Sequence, residues 1–371
     1  MPERILITGG AGFIGRFVTR ELQKRGHEVR ILDSLIEQVH GDRERPDDFP
    51  EDAELIVGDI RNKDVVARSL KDVDSVIHLA AEVGVGQSMY AVERYTSVNE
   101  TGSAVLFEAL IDNPVRRVVT ASSMSIYGEG LYRDADGNLV QNAERRPRTS
   151  DTQTWDPTDG QGRPLTPVAT TETKQPSLAS IYALGKYVQE RQTLIMTEAY
   201  GMEGACLRLF NVYGPGQALS NPYTGVLAIF SSRLANGQRP MIFEDGEQRR
   251  DFVYVGDVAR AFCGTLAHPN APGQVFNIGS GQERSVKQVA QSIARAMNRN
   301  DIEPEIVGKS RIGDIRHCFC DGTKAAERLG FQAERDFEEG LAELAEWVAE
   351  QEATDRVDEA RAELEAKGLV A

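Results

Sequence analysis

The segment RILITGGAGFIG, residues 4–15, joins a short apolar strand to a glycine-rich turn and the start of a helix. Residues 4–8 are rich in β-branched side chains, and Gly9, Gly12 and Gly15 follow with the spacing of a dinucleotide-binding turn. Glycine lets the backbone turn sharply and approach a pyrophosphate, which then rests on the free N–H groups of the helix N-terminus. The segment therefore predicts a nucleotide-binding strand–turn–helix unit.

The alternation of strand and helix continues through the first half of the chain. Near-continuous apolar runs predict further buried strands at 28–33, 53–59, 74–80 and 115–122. Helical patterns occur at 13–25, 62–70, 92–111 and 179–200. This order predicts right-handed βαβ units, and therefore an α/β fold with a Rossmann-type doubly wound parallel sheet.

Past residue 203 the predicted elements become shorter and are broken by Gly and Pro, which indicates a smaller, mixed α/β substrate-binding lobe. The predicted division is a nucleotide-binding domain at 1–210 with about 247–281, including an insertion at 128–177; a substrate lobe at 211–246 with 282–335; and a C-terminal helix and tail at 336–371.

An acidic residue, Asp33, ends the second predicted strand. At this distance from the glycine turn, a carboxylate accepts hydrogen bonds from the adenosine ribose hydroxyls, and it would repel a 2′-phosphate. NAD is therefore the predicted cofactor, rather than NADP. The alternative is a plain glycine turn beside an exposed aspartate. Asp59 ends the third strand, before Ile60, and is assigned to the adenine.

The composition restricts the partners. The chain has 371 residues and a formal net charge of −15, which disfavours binding to nucleic acid. Its hydrophobic content is 40%, no apolar run is long enough to span a membrane, and the start, MPERILITGG, lacks the pattern of an export signal. The four cysteines and five histidines lack the spacing of disulfide frameworks or metal ligands. We expect a cytoplasmic protein with a small-molecule partner, no metal, no nucleic acid and no membrane contact.

The segment SIYALGKYVQ, residues 180–189, holds Tyr182 and Lys186 four positions apart. On a helix, both side chains leave the same face one turn apart. By itself the pair is most simply an amphipathic surface pair. Beside a nucleotide site, it suggests a phenol whose proton affinity is set by a nearby ammonium group.

Nine motifs occur in an order typical of one enzyme family. They are TGGAGFIG (8–15), VGDIRN (57–62), HLAAEVG (78–84), SVNETG (97–102), SSMSIYG (122–128), YALGK (182–186), NVYGPGQ (211–217), RRDFVYVGDVA (249–259) and RIGDIR (311–316). Over nearly its whole length the chain resembles the extended short-chain dehydrogenase/reductase family, and within it the NAD-dependent nucleotide-sugar epimerases and dehydratases. The resemblance implies a nucleotide-diphosphate sugar as substrate, and a homodimer formed through the helices at 92–111 and 179–200.

The resemblance also implies the residues of the site. The catalytic residues are Ser123, Tyr182 and Lys186. The cofactor residues are Gly9, Gly12, Phe13, Ile14, Gly15, Asp33, Ser34, Asp59, Ile60, Leu79, Ala80, Ala81, Asn99, Ser122, Tyr182 and Lys186. The substrate residues are Gln87, Ser88, Ser123, Asn211, Asn221, Arg250, Arg311 and Asp314.

The three catalytic residues imply an oxidation at a sugar hydroxyl. A free tyrosine has a pKa of about 10, so Lys186 and the positive nicotinamide ring are expected to favour its phenolate. Tyr182 would then remove the hydroxyl proton while carbon C4 gives its hydride to NAD. Ser123 would hydrogen-bond the same oxygen, and Lys186 would also hold the nicotinamide ribose.

The residues after Ser123 favour one reaction class. In related dehydratases and decarboxylases this position carries acids, whereas this chain has Met124 and Ser125. Neither side chain is a general acid or base at neutral pH, so the expected reaction is 4-epimerisation: transient C4 oxidation, rotation of the sugar, and re-reduction from the other face. Oxidoreductases and non-catalytic NAD sensors on the same fold are the alternatives from other classes.

The sugar is predicted from two segments. GVGQSMY (84–90) and ALSNPYTG (218–225) resemble the corresponding segments of bacterial dTDP-L-rhamnose 4-epimerases, which implies a dTDP-6-deoxyhexose such as dTDP-L-rhamnose. Uronate epimerases often carry an arginine near position 86, where this chain has Gly86. The alternatives are a 4-epimerase of the UDP-glucose/galactose or UDP-uronate type, or a dehydratase or decarboxylase of nucleotide sugars.

Two further segments have no assigned role in the chemistry. The insertion at 128–177 lies between the serine and the tyrosine, and is either a lid over the sugar or an outlying surface insertion. The charged segment 337–369 carries an apolar helical face, which predicts a docked helix that becomes solvated or frays toward its end.

Overall fold

The computed structural model describes residues 2–41, 44–145, 154–221, 223, 225–311, 313–351 and 357–370. Its strands are β1 (Arg4–Thr8), β2 (Glu28–Asp33), β3 (Glu54–Val57), β4 (Ser75–His78), β5 (Arg117–Ser123), β6 (Leu131–Arg133), β7 (Leu139–Val140), β8 (Thr166–Val168), β9 (Glu203–Leu209), β10 (Asn211–Tyr213), β11 (Met241–Ile242), β12 (Arg249–Tyr254), β13 (Gln274–Ile278), β14 (Glu283–Ser285), β15 (Glu305–Ile306) and β16 (His317–Cys318). Its α-helices are α1 (Phe13–Lys24), α2 (Glu37–His40), α3 (Lys63–Ser69), α4 (Val85–Ser88), α5 (Val92–Thr96), α6 (Gly102–Asp112), α7 (Ile181–Ala199), α8 (Val226–Ala235), α9 (Val255–Ala267), α10 (Val286–Ala296), α11 (Thr323–Leu329), α12 (Phe337–Ala349) and α13 (Val357–Ala366).

Seven strands form one parallel sheet in the order β13-β9-β5-β4-β1-β2-β3. The chain winds outward from β1 to β3 on one side and from β4 onward on the other, so the direction reverses between β1 and β4. In such sheets the ligand cleft lies at this reversal, beyond the carboxyl ends of the strands. The predicted Rossmann-type doubly wound fold is confirmed.

Both faces of the large sheet are buried, as the apolar strands predict. In β1, Ile5 and Ile7 belong to a cluster with side chains of α1 and α9, whereas Leu6 belongs to the cluster on the other face with α3 and α6. Alternate strand residues point to opposite faces, so one continuous apolar run supplies both cores. This two-sided packing fixes the strand ends that carry the site.

The predicted single helix at 92–111 is interrupted in the structure. Between α5 and α6 the backbone forms one turn of π-helix, Ser97–Thr101. Asn99 lies in this turn with its buried amide directed inward, and Gly102 packs so closely on Ile60 that a Cβ atom there would lie 2.5 Å from Cγ2 of Ile60. Such π-turns are frequent at functional sites because they redirect one side chain.

The smaller lobe has its own sheet and core. β10, β12 and β14 are neighbours in one sheet, and β16 also pairs with β12. Its apolar core joins α8, α10 and α12. Within the predicted returning segment 247–281, β12 pairs in this sheet, whereas α9 packs on α1 and β13 joins the large sheet. The domain division itself stays a prediction.

The described part of the insertion is a three-stranded antiparallel sheet, β7-β6-β8. It is fastened to the segment around β16: Gly130 N donates to the His317 carbonyl at 2.8 Å, and the buried Arg316 guanidinium binds Asp156 at 2.7 Å. Residues 146–153 of the insertion lie outside the described residues. Its role as a lid stays a prediction.

Two helices follow the smaller lobe. In α12, Leu341, Leu344 and Val348 are buried in the lobe core, as the apolar helical face predicts. A second helix, α13, docks onto the body through Ala360 and Leu364, whereas we expected solvation or fraying there. Among the described residues, no helix combines the length and apolar character needed to cross a membrane.

Candidate active site

A cleft of about 820 Å³ lies at the carboxyl ends of the central strands. Its floor is made by residues that follow β1 to β5, its wall by the start of α7, and its other side by residues 209–225 together with Trp347 and Gln351. The volume is in the range of sites that bind small molecules and cofactors. The site is therefore built where the sheet topology reverses.

The glycine turn after β1 has little room for side chains. Gly9 has a φ of +70°, and a Cβ atom there would lie 2.8 Å from the backbone nitrogen of Ala80. A Cβ atom on Gly15 would lie 2.5 Å from Cα of Gly10. The turn ends at Gly12, which caps α1 without a side-chain hydrogen bond. The first N–H groups of α1 are thus left for an anionic ligand such as a pyrophosphate.

Replacing Gly15 with alanine is expected to destabilise the protein by about 2 kcal/mol, because the added methyl group meets rigid backbone rather than a flexible side chain. Urea denaturation followed by circular dichroism measures the change. Gly264→Ala in α9 is the matched control, since nothing lies within 4 Å of the added Cβ atom and alanine favours the helix. If both variants changed the free energy of unfolding by the same amount and in the same direction, the close contact between residue 15 and the backbone of Gly10 would be contradicted.

Asp33 is held in position by its own backbone neighbours. Its Oδ2 accepts a hydrogen bond from Ala11 N at 3.0 Å, and its Oδ1 accepts one from Leu35 N at 2.9 Å. A carboxylate has about four acceptor positions, so two remain for ribose hydroxyls. His40 lies 3.8 Å from Oδ1, and burial lowers its pKa, so it adds no positive charge for a 2′-phosphate at neutral pH. These residues fit NAD.

The serine and tyrosine that are predicted to be catalytic both line the cleft. Ser123 ends β5, and its Oγ accepts a hydrogen bond from Ser125 N at 3.1 Å, which fixes the side chain. There, the Ser123 hydroxyl acts on the Tyr182 phenol as a hydrogen-bonding group. The pKa of Tyr182 is raised by burial and only partly lowered by this interaction. The protein alone therefore keeps the phenol protonated, and the expected preference for phenolate is not produced by the neighbouring side chains of this chain.

The sequence spacing suggests that Lys186 pairs with Tyr182, but its hydrogen-bond partner in the structure is Gln189. It is 4% exposed, and its Nζ donates to Oε1 of Gln189 at 2.7 Å. Burial lowers its pKa to about 7. The ammonium lies one helical turn from Tyr182. A lysine that titrates near neutrality can change its charge when a ligand binds.

A buried chain of hydrogen bonds supports Lys186. The Gln189 amide nitrogen donates to Ser103 Oγ at 2.9 Å, and Ser103 Oγ lies 2.8 Å from Nε2 of His78. The other ring nitrogen of His78 bonds Thr8 Oγ1 at 2.7 Å, and burial lowers the histidine pKa to about 3. The neutral network thus connects the lysine to the end of β1, next to the glycine turn, and fixes its position.

The cleft brings together most of the predicted cofactor residues. Those that line it are Gly9, Gly12, Phe13, Ile14, Gly15, Asp33, Ser34, Asp59, Ile60, Leu79, Ala80, Ala81, Ser122, Tyr182 and Lys186. The Asp59 carboxylate is bound by the Arg61 guanidinium at 2.6 Å. Asn99 lies behind the cleft, where its side chain bonds the backbone N–H and carbonyl of Glu82. It supports the wall rather than lining it.

The predicted substrate residues fall into two groups. Ser123 and Asn221 line the cleft. The others lie around it, and two of them touch site residues: Ser88 Oγ accepts from Tyr182 N at 3.1 Å, and Asn211 Nδ2 lies 3.5 Å from the Met124 sulfur. Gln87 is joined to Asn221 through Gln38, whose amide nitrogen lies 3.1 Å from both side-chain oxygens.

Arg250, Arg311 and Asp314 form one charged group. Arg311 Nη2 lies 2.9 Å from Oδ2 of Asp314, and Arg250 Nη2 lies 3.5 Å from its Oδ1. Burial raises the pKa of Asp314, but the charges of Arg311 and Arg250 outweigh it and lower the pKa to about 2. From the insertion, Arg145 donates to the Asp314 carbonyl at 2.6 Å. The two arginines are thus pre-oriented by one ionised carboxylate.

One charged pair in the cleft was missed by the sequence reasoning. Glu82 is buried, lines the cleft, and binds Arg94 at 2.7 Å. Glu82 and Tyr182 line the same cleft. The HLAAEVG motif places Glu82 at a strand end, where cleft residues are expected, and this was the available signal. No spacing rule predicts Arg94 as its partner.

Known proteins resemble this chain over almost its full length. A dTDP-L-rhamnose 4-epimerase of Burkholderia thailandensis is 36% identical over 354 residues, which are 94% of this chain and 96% of that protein. The UDP-glucose 4-epimerase of Thermotoga maritima, solved with UDP-glucose, has a TM-score of 0.75 and 30% identity, with 93% of this chain and 98% of that chain covered. The UDP-glucose 4-epimerase of Thermus thermophilus, solved with NAD, has a TM-score of 0.74 and 28% identity, with 94% and 100% covered.

The family assignment follows from the sequence match, and the site agrees with it. Residues 5–279 match the NAD dependent epimerase/dehydratase family. This range includes the glycine turn, Asp33, Ser123, Tyr182 and Lys186, which the fold gathers in one cleft. The predicted family, NAD cofactor and enzyme class are confirmed. The chain belongs to the NAD-dependent epimerase/dehydratase family.

Proposed function

We propose that this protein is a nucleotide-sugar 4-epimerase that acts on a dTDP-6-deoxyhexose such as dTDP-L-rhamnose. The resemblance of residues 84–90 and 218–225 supports this sugar, and so does the 36% identity to a dTDP-L-rhamnose 4-epimerase. UDP-glucose 4-epimerases are also among the similar proteins, so UDP-sugars are the alternative substrates to be tested. Ser123, Tyr182 and Lys186 are proposed as the catalytic residues.

The observation that carries the proposal is that Ser123 and Tyr182 line one cleft while the residues directly after Ser123 are neutral. Met124 and Ser125 follow Ser123 and are buried, and Asn211 contacts the Met124 sulfur. An elimination needs a positioned acid or base at the sugar carbons next to C4, and these side chains supply neither. The group can bind and deprotonate one hydroxyl, which is all that epimerisation at C4 requires.

In the proposed mechanism, Tyr182 accepts the proton of the C4 hydroxyl, and Ser123 donates a hydrogen bond to the same oxygen as negative charge develops on it. NAD, when bound, supplies the acceptor and later the donor of the C4 hydride. The neighbouring side chains alone leave the phenol protonated, so we propose that Lys186 and the positive nicotinamide ring would together favour its deprotonated form in the loaded enzyme. Tyr182 returns the proton to the oxygen after the sugar has turned.

Rotation of the sugar requires that its diphosphate stay bound. Arg250 and Arg311 are proposed to hold it, because a guanidinium binds phosphate oxygens in pairs. Asp314 ties both arginines and fixes their direction. Asn211 and Asn221 are proposed as further contacts of the nucleotide sugar, and Asn221 lines the cleft.

A dehydratase is the second candidate because Glu82, a buried carboxylate with no assigned part in binding the cofactor, lines the same cleft as Tyr182. Glu82 could act on an oxidised sugar only if it left its ion pair with Arg94. This observation makes product identity the decisive measurement. It also gives the dehydratase a named residue to test.

The test is incubation of the purified enzyme with dTDP-L-rhamnose, dTDP-glucose, UDP-glucose and UDP-glucuronate, with the products analysed by NMR. We expect a C4-inverted dTDP-6-deoxyhexose, no net consumption of NAD, and no solvent deuterium at C4 when the reaction is run in D₂O. A product that lacks O6 or carbon dioxide would refute epimerisation. If the enzyme turned over UDP-glucose alone, the proposed reaction would stand and the proposed sugar would be wrong.

A homodimer and a cytoplasmic location remain parts of the proposal. Exposed apolar side chains, Val92 and Ile111 on α5–α6 and Leu184 and Ile195 on α7, support a homodimer through these helices. The four cysteines are all free and buried, which fits a reducing compartment. Light scattering after size exclusion measures the mass, and a monomer would contradict the first part.

A further inference from the structure

The C-terminal cap, defined as α13 with residues 367–370, lies across the segments assigned to the sugar. We propose that the cap forms one wall of the nucleotide-sugar site, and that Glu363 is a positioning residue that joins the two sugar segments. This inference rests on the proposed function. It assigns a role to residues that no motif of the chain explains.

Glu363 connects two segments that are far apart in sequence. Its Oε2 accepts a hydrogen bond from the hydroxyl of Tyr90 at 2.9 Å and from the hydroxyl of Tyr223 at 3.0 Å, and the two phenol oxygens are 2.6 Å apart. Tyr90 ends the segment 84–90, and Tyr223 lies within 218–225. Burial raises the pKa of both tyrosines, so both remain donors to the carboxylate. Hydrogen bonds to a charged acceptor are the stronger kind.

An apolar contact lies next to this polar one. Leu364 is buried, and a Cβ atom built on Gly86 would lie 3.5 Å from its Cδ2. The leucine therefore borders the position where a side chain at residue 86 would begin. Lys367 adds a cation 4.8 Å from the centre of the Tyr90 ring. The cap thus closes the outer side of the segment that contains Gln87 and Ser88.

The end of the cap reaches the arginine group. Val370 pairs with Arg311 in an antiparallel β-bridge, and Lys309 forms an ion pair with Glu365 at 3.6 Å. Arg311 is also bound to Asp314. A single helix and its last residues therefore contact three site segments: 84–90, the loop of Tyr223, and the segment of Arg311.

Two of these segments also touch the reacting end of the site. Ser88 Oγ bonds the backbone N–H of Tyr182, and Asn221 lines the cleft. The cap is not part of the fold's main support, because Ala360 and Leu364 lie outside the four apolar core clusters of the described residues.

The cap is also tied to the smaller lobe, where Asp358 binds Arg233 at 3.1 Å and Arg361 lies 3.5 Å from the Met241 sulfur. Its contacts with the site segments are therefore made from an anchored helix, as expected of a positioning element.

The experiment compares the full chain with a chain that ends at Gln351 and with the Glu363→Ala and Glu363→Gln variants. The matched control is Glu359→Ala, since Glu359 is exposed on the same helix and makes no side-chain hydrogen bond or ion pair with other described residues. For the sugar nucleotide that the enzyme turns over, we expect the truncated chain to show a KM about tenfold higher with kcat changed less than threefold. Glu363→Ala is expected to show about a threefold rise, and Glu363→Gln less, because the amide oxygen still accepts.

A second readout measures how well the enzyme retains the sugar after it has been oxidised. A sugar that is poorly enclosed escapes after oxidation and leaves reduced cofactor on the enzyme. We expect absorbance at about 340 nm to build up severalfold faster in the truncated chain than in the full chain. A purely structural role of the cap would lower the melting temperature without producing this signal.

A third readout does not depend on turnover. Hydrogen exchange of the backbone amides at 84–91 is expected to accelerate at least threefold in the truncated chain, because the four N–H groups of Ser88 to Ala91 are bonded within this segment. If the full chain turns over no nucleotide sugar, the proposed function fails, and exchange at 84–91 alone then decides the inference. An active truncated chain with unchanged KM, exchange and reduced cofactor would overturn the role of the cap.

Discussion

Replacement of Tyr182 with phenylalanine is expected to lower kcat about 1,000-fold while KM changes less than threefold. In the proposed mechanism the phenol oxygen of Tyr182, which lines the cleft with Ser123, takes the proton from the substrate hydroxyl. Phenylalanine keeps the ring and its packing, so the substrate still binds and only the transition state loses its partner. Initial rates at saturating sugar nucleotide measure the loss.

Tyr200→Phe provides the control for this experiment. Tyr200 is half exposed and ends α7, so it shares the helix with Tyr182 but does not line the cleft. Its turnover is expected to stay within twofold of the natural chain. If Tyr182→Phe retained more than a tenth of the natural kcat, Tyr182 would not be the proton acceptor.

Replacement of Lys186 with methionine is expected to lower kcat about 100-fold and, at the same time, to stabilise the cofactor-free protein. The activity falls because, in the proposed mechanism, Lys186 helps the bound cofactor to favour the deprotonated phenol, and methionine carries no charge. The stability rises because a buried ammonium, 4% exposed, is replaced by an apolar side chain of similar length. After allowance for the lost hydrogen bond to Gln189, we expect a net gain of about 2 kcal/mol.

The pH dependence of this gain follows from the lowered pKa of Lys186. The pKa is about 7 in the folded protein and about 10.4 in an unfolded chain, so between these values the unfolded state binds more protons. The free energy of unfolding of the natural chain therefore rises with pH over this range. The stabilisation by Lys186→Met should be fully present below pH 7 and should shrink as the pH rises toward 10. Thermal unfolding at pH 6 and pH 9 measures the difference.

Lys174→Met is a suitable control, because Lys174 is also buried but lies outside the cleft, where its ammonium donates to the Gln175 carbonyl at 2.7 Å. This variant should keep kcat within twofold. If Lys186→Met kept the kcat of the natural chain, Lys186 would have no role in the proposed mechanism. A stabilisation relative to the natural chain that is smaller at pH 6 than at pH 9 would contradict the buried, costly charge of Lys186.

The ion pair of Glu82 with Arg94 influences how the site is interpreted. Sequence reasoning found no acid beside the reacting sugar, yet the fold places a buried carboxylate in the same cleft. Its partner Arg94 also donates to Gln38, which in turn contacts the predicted substrate residues Gln87 and Asn221. The pair therefore belongs to the frame of the sugar site, and its charge is balanced before any substrate binds.

The sequence by itself determined the parts of this protein whose signals are local. The glycine turn after the first strand, the apolar strands between helices, and Asp33 at a strand end each depend on residues within a few positions of one another, where backbone geometry and side-chain periodicity act directly. The fold class and NAD follow from these signals, the family follows from nine short motifs in their order along the chain, and all three are confirmed. Tyr182 and Lys186 were found in the same way, as two residues one helical turn apart.

Only the tertiary structure decided which groups surround those residues. The partner of Lys186 is Gln189, bound in turn to a network that ends at Thr8, and the partner of Glu363 is a pair of tyrosines more than a hundred residues away. Such contacts join segments through the sheet topology and leave no periodic pattern along the chain. The lowered pKa of Lys186 has the same origin, because burial is a property of the packed molecule and not of the residue's sequence neighbours.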